Sequence, residues 1–211
     1  METTLAVLGD RCRYVACDEK KSMQQKSNFD EAWALAGTLI LIPENSPAKK
    51  LNCFSRAKLR RALGLIDRTH SEANGFASDL WLCGKIEQRL GDFQQSLSSY
   101  LVANEIKPND LDIVTGLITA ALECGDSRTA NKFVNTALNN WSNDELIQTL
   151  AAIAFLIAGN LKKAREIARL IEDEFMLSAC AMVECGQREL PTNFFEIFPD
   201  VYGVTGKRIA T

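Results

Sequence analysis

The sequence predicts an all-α protein built from repeated helix pairs, and three observations carry that reading. Gly91, Gly125 and Gly159 recur at intervals of 34 residues. A polar turn residue follows each of them, in Gly91-Asp92-Phe93, Gly125-Asp126-Ser127 and Gly159-Asn160-Leu161. Five residues beyond each glycine stands a small side chain, Ser96, Ala130 and Ala164, and one interval upstream of Ser96 lies Ala62. A period of this length accommodates two helices of about a dozen residues with two short turns. The glycine allows the positive φ that ends the first helix of each pair. The small residue lets the two helices approach closely, and larger neighbours such as Leu97 and Tyr100 fill the space around it.

The unit from Ala77 to Asp110 shows the pattern at its fullest. It contains Leu80-Trp81-Leu82-Cys83-Gly84, then Gly91-Asp92-Phe93, Ser96, Tyr100, Ala103 and Pro108. This run resembles the tetratricopeptide repeat. Gly84 falls at that family's small position in the first helix, Phe93 at its aromatic position after the turn, and Pro108 closes the second helix. The unit 111–144 keeps Leu117, Gly125, Ala130 and Ala137 but has Ser142 where proline is usual. The unit 145–178 keeps Ala152, Gly159 and Ala164 and is otherwise degenerate. An earlier unit, 30–76, is split. Asp30 to Gly37 matches the opening helix, with Trp33 and Gly37 at the signature spacing, but a loop over 43–55 separates it from a second helix expected from Ser55 to Arg68. Insertions of this kind map to loops and cost little. The resemblance implies a right-handed superhelical stack of antiparallel helix pairs, an α–α solenoid.

The ends are read differently. Residues 1–29 are expected to form a short amphipathic helix, Thr4 to Cys17, and a polar loop. Residues 179–211 are expected to hold a capping helix, reading from Leu177 to Cys185, and an apolar tail with Phe194, Phe195, Ile197 and Phe198. A terminal helix of this kind covers the apolar face that the last repeat leaves exposed.

Composition narrows the class. Hydrophobic residues make up 46% of the 211 and charged residues 24%, which is ordinary for a soluble domain. A net charge of -3 gives no general pull toward nucleic acid. The most apolar run, Trp33 to Ile42, is too short to span a bilayer. The first residues lack the basic lead of a secretory signal. The seven cysteines are odd in number and form no Cys-x-x-Cys, which fits a reduced, cytoplasmic setting.

Signatures of catalysis are scarce. His70 is the only histidine and reads as a surface residue near a helix end. The pairs Cys12/Cys17 and Cys180/Cys185 are each five apart, which places them on different helix faces. Phosphate-binding glycine loops and nucleophile elbows are absent. Neither an enzyme nor a cofactor nor a metal is expected. The run Arg56, Lys58, Arg60, Arg61 reads as a solvated helix face, or else as a patch for an acidic partner.

In tetratricopeptide proteins the first helix of each repeat lines a concave groove that grips peptides or helices. The resemblance therefore assigns such a groove to Ser78, Trp81, Lys85, Gln88 and Arg89, then Asp112, Thr115, Thr119, Leu122 and Glu123, then Leu146, Thr149, Ile153, Leu156 and Ile157. These residues grade from polar and basic to apolar along the stack. The carboxylate clamp of chaperone-tail receptors is not reproduced, since Lys85 is the only cation at a matching place. The implied activity is protein binding, as an adaptor, scaffold or secretion-type chaperone, with an extended or helical apolar segment as the favoured occupant. A competing expectation is a homo-oligomer, assembled through Trp141 or the tail, whose groove is filled by its own phenylalanine-rich tail.

Overall fold

Local capping decides where the helices begin and end. The structure is a computed structural model that describes residues 23–24, 26–40, 51–66 and 76–186. Within these residues it contains helices and no strand. In chain order they are α1 over residues 26–40, α2 (Cys53–Leu65), α3 (Ala77–Leu90), α4 (Phe93–Ile106), α5 (Leu111–Cys124), α6 (Ser127–Asn140), α7 (Glu145–Ile157), α8 (Leu161–Leu170) and α9 (Glu174–Glu184). None is long and apolar enough to cross a membrane. The Thr4–Cys17 helix, the core of the inserted loop, His70 and the apolar tail lie outside the described residues.

The turn inside each pair is built alike three times. Gly91, Gly125 and Gly159 have φ of 88°, 76° and 75°. The following N–H groups close the helix end: Asp92 N donates to Glu87 O at 2.8 Å, Asp126 N to Ala121 O at 2.9 Å, and Asn160 N to Phe155 O at 2.8 Å. This is the left-handed cap that glycine adopts without a Cβ penalty. The next helix starts at once, and the side chains of Asp126 and Asn160 accept from Thr129 N and Lys163 N. A second pair of caps opens α5 and α7, whereas α3 starts at Phe76 without a side-chain cap. Asp110 accepts from Ile113 N at 3.2 Å and Asp144 from Ile147 N at 3.0 Å. Turns this short force consecutive helices to run back along one another, and α3 to α9 each pack on the next.

The helix boundaries differ from the sequence expectation in three places. Residues 23–24 are helical as well as 26–40, so helix reaches into the stretch read as loop. Helix α2 starts at Cys53, because Asn52 accepts from Ser55 N at 2.8 Å, and it ends at Leu65 rather than Arg68. The third unit is shortened. Its second helix ends at Leu170, Glu172 takes a φ of 54°, and Asp173 caps α9 by accepting from Met176 N at 2.9 Å. The capping helix therefore begins at Glu174, three residues before Leu177, and runs into the segment assigned to the third repeat.

The core forms three clusters. Ala32 and Ala36 of α1 share one with Leu59 and Ala62 of α2 and with Leu82, Cys83, Ile86 and Leu90 of α3. A small second cluster joins Ala77, Leu80, Ala103 and Ile113. The largest runs from Leu97 to Cys180 across α4 to α9. Trp81 packs against all three. Tyr100, fully buried, is wedged between two glycines: a Cβ at Gly84 would lie 2.8 Å from its ring, and one at Gly116 2.5 Å. Ser96 Oγ donates to the Gly84 carbonyl at 2.9 Å, so the small residue of the repeat also fixes the helix pair by a buried hydrogen bond.

Candidate functional site

Besides packing on its neighbours, α3 packs on α5, α5 on α7, and α7 on α9. The first helices of successive pairs thus lie side by side, and the groove residues named above fall on three of them.

Helix α3 supplies the polar end. Ser78 is exposed, and Trp81, Lys85, Gln88 and Arg89 are half-buried. The Trp81 ring stacks on Trp33 of α1, with centroids 5.9 Å apart and planes 25° from parallel. Its indole Nε1–H is buried and has no acceptor among the described residues. Arg89 Nε donates to the Leu39 carbonyl at 3.0 Å, placing a cation at the C-terminal turn of α1, where the helix dipole favours it. Gln88 Oε1 accepts from the Tyr100 hydroxyl at 3.4 Å.

Helix α5 is more enclosed. Thr115 donates to the carbonyls of Leu111 and Asp112, at 2.9 and 3.1 Å, and Thr119 donates to the Thr115 carbonyl at 2.8 Å. Both hydroxyls are satisfied within their own helix and buried, which leaves them little to offer a ligand. Leu122 and Glu123 are also buried, whereas Asp112 is exposed in the first turn, where a carboxylate stabilises the helix. Behind these residues burial holds the Tyr100 phenol well above its ordinary range, and the charges of Glu123, Glu87 and Asp112 push the same way.

Helix α7 turns its apolar groove residues inward. Ile153 and Leu156 are fully buried and Ile157 nearly so, all within the main core cluster. Leu146 is 41% exposed and Thr149 half-buried. The open part of the face is therefore α3 together with the N-terminal turns of α5 and α7.

An open cleft of about 190 Å³ lies at the N-terminal ends of α3 and α5. Ala77, Ser78 and Trp81 of α3, Asp112 and Ile113 of α5, and Lys107 and Asp110 of the connecting turn line it. Small-molecule pockets run to roughly 300–1,000 Å³, so this cleft takes a side chain more readily than a cofactor. Lys107 Nζ sits 2.7 Å from Asp110 Oδ2. The hydrogen bond from Lys107, with the N–H groups of Ile113 and Asp112, holds the Asp110 carboxyl below the usual carboxylate range despite partial burial. Sequence reasoning brought Ser78, Trp81 and Asp112 to this place but missed Ala77, Lys107, Asp110, Ile113 and the Trp33 partner. The aspartates at 110 and 144, one period apart, were the available signal for the turn.

No group of three or more histidine, cysteine or carboxylate side chains able to hold a metal occurs among the described residues. The described cysteines, Cys53, Cys83, Cys124, Cys180 and Cys185, are all free thiols. Comparison of the chain with protein-family models, with curated proteins and with solved structures returns no match.

Proposed function

We propose that the chain is a tetratricopeptide-like solenoid that holds a segment of a partner protein on the face formed by α3, α5 and α7, acting as an adaptor, scaffold or chaperone and not by catalysis. The observation that carries this reading is the asymmetry of the packing. The odd-numbered helices from α3 to α9 touch one another directly, whereas among the described residues α4, α6 and α8 touch only their neighbours in sequence. A stack that is close along one side and splayed along the other curves, with the close side inward. The odd-numbered helices then line the concave surface, as the repeat resemblance implies for a right-handed superhelix. The open residues of that surface, Trp81, Lys85, Gln88, Asp112, Leu146 and Thr149, mix aromatic, charged and apolar chemistry in the manner of a protein-binding patch.

Site-specific photo-cross-linking in the native cell tests the proposal. A photoreactive residue is placed at Lys85, Asp112 or Thr149 on the face, and at Gln94 or Arg128 on the outer helices. The face positions are expected to give discrete protein adducts that the outer positions do not. Equal adduct patterns from both sets, or none from the face, would count against the reading, and a dominant adduct of twice the chain mass would point to self-assembly instead.

A further inference from the structure

We propose that the cleft between α3 and α5 receives one cationic side chain, lysine or arginine, from an extended protein segment. The inference rests on the reading that this face holds a protein partner, and it names the chemistry recognised there. Three features of the cleft lead to it. The first is charge. Among the described residues that line the cleft, Asp110 and Asp112 meet a single cation, Lys107, which is already bonded to Asp110, so this lining carries one net negative charge, at the exposed Asp112. An anionic side chain would be repelled, the reverse of what a carboxylate clamp selects. The second is the aromatic wall. Trp81, held flat by its stack on Trp33, offers the ring type that attracts cations most strongly. Ala77 and Ile113 give the aliphatic stem of lysine or arginine an apolar surface to lie along.

The third feature is size. The volume of about 190 Å³ suits one long side chain and excludes a bulky ligand.

The test uses the full chain labelled with ¹⁵N. Its three tryptophans, Trp33, Trp81 and Trp141, give three indole N–H signals, and the Trp81→Phe variant identifies one of them. The probes are capped tripeptides with arginine, leucine or glutamate between two alanines. Because Trp81 lines the cleft, the arginine peptide is expected to shift its indole signal saturably, and the glutamate peptide to leave it in place. Asp112→Asn should weaken the arginine peptide by about threefold, the scale of one exposed ion pair. Lys107→Gln should tighten it by a similar factor, because Asp110 is released. Circular dichroism establishes that each variant is folded. Equal responses to the three peptides, a preference for glutamate, or an unmoved Trp81 signal overturns the proposal. Face-specific cross-links from Lys85 and Thr149 alongside an unmoved Trp81 signal would sink this site while leaving the partner-binding face intact. Loss of the cross-links as well would remove both.

Discussion

Substituting Gly116 by alanine isolates the tightest contact in the fold. The added Cβ would stand 2.5 Å from Tyr100 Cζ, 2.6 Å from Cε1 and 2.9 Å from the hydroxyl oxygen. Carbon atoms pack at about 3.5–4.0 Å, so the ring would have to move by roughly 1 Å. It has nowhere to go, because Tyr100 is fully buried and its ring also lies against Gly84, where a Cβ would come within 2.8 Å. Overpacking of this severity costs about 3 kcal/mol, against about 1 kcal/mol gained from the better helix propensity of alanine. The expected net loss is about 2 kcal/mol, or a Tm lower by about 4–8 °C for a chain of this length. Gly64 supplies the control. It lies on α2 with nothing within 4 Å of a built Cβ, so Gly64→Ala should stabilise by up to about 1 kcal/mol. Urea unfolding followed by circular dichroism at constant slope measures both. In a Tyr100→Ala background the Gly116→Ala penalty should vanish, a non-additivity that a double-mutant cycle reads directly. If Gly116→Ala were as stable as the parent, or shifted the midpoint in the same direction as Gly64→Ala, the reasoning would be refuted.

Further outcomes follow from the same structure. Asp173→Ala removes the side-chain cap of α9 and should lower stability by about 1 kcal/mol, read as a reduced urea midpoint. Gly125→Ala forces a Cβ onto a residue with φ of 76° and should cost about 1–2 kcal/mol despite its exposed position. Tyr100 keeps its proton to higher pH when folded than when unfolded, so its contribution is complete below about pH 10 and is lost as pH rises beyond that value. Urea midpoints measured from pH 8 to 11 should fall, and Tyr100→Phe should flatten that fall relative to the parent. Asp110 and Asp126 have the opposite sign. Their folded carboxyls, held low by hydrogen bonds from Lys107 and Thr129 respectively, stabilise above the unfolded carboxylate value and lose that contribution as pH drops through it. A steeper acid loss in the Asp126→Asn variant than in the parent would contradict this.

The sequence by itself determined the features that depend on neighbours a few residues apart. The glycines at 91, 125 and 159 mark left-handed caps because only the local backbone has to accept a positive φ. Asp126 and Asn160, one period apart, cap the helices that follow because a short carboxylate or amide side chain reaches N–H groups three residues on. Asp173 carries the same local signal and could have placed α9 correctly, but it stands 29 residues after Asp144 and so falls outside the 34-residue register. Tertiary structure alone decided the rest. Gly116 has no counterpart in the repeat, since the positions one period before and after it are Leu82 and Leu150, and its role appears only when the Tyr100 ring of the preceding helix arrives against it. Leu122, Ile153, Leu156 and Ile157 read as a groove surface along their own helices, yet the packing of α3, α5, α7 and α9 on one another buries them. Trp33 and Trp81 stand 48 residues apart in the chain and form one stacked wall because α1 closes onto α3. Exposure and cleft shape depend on which helix lies beside which, and periodicity within a single helix does not encode that.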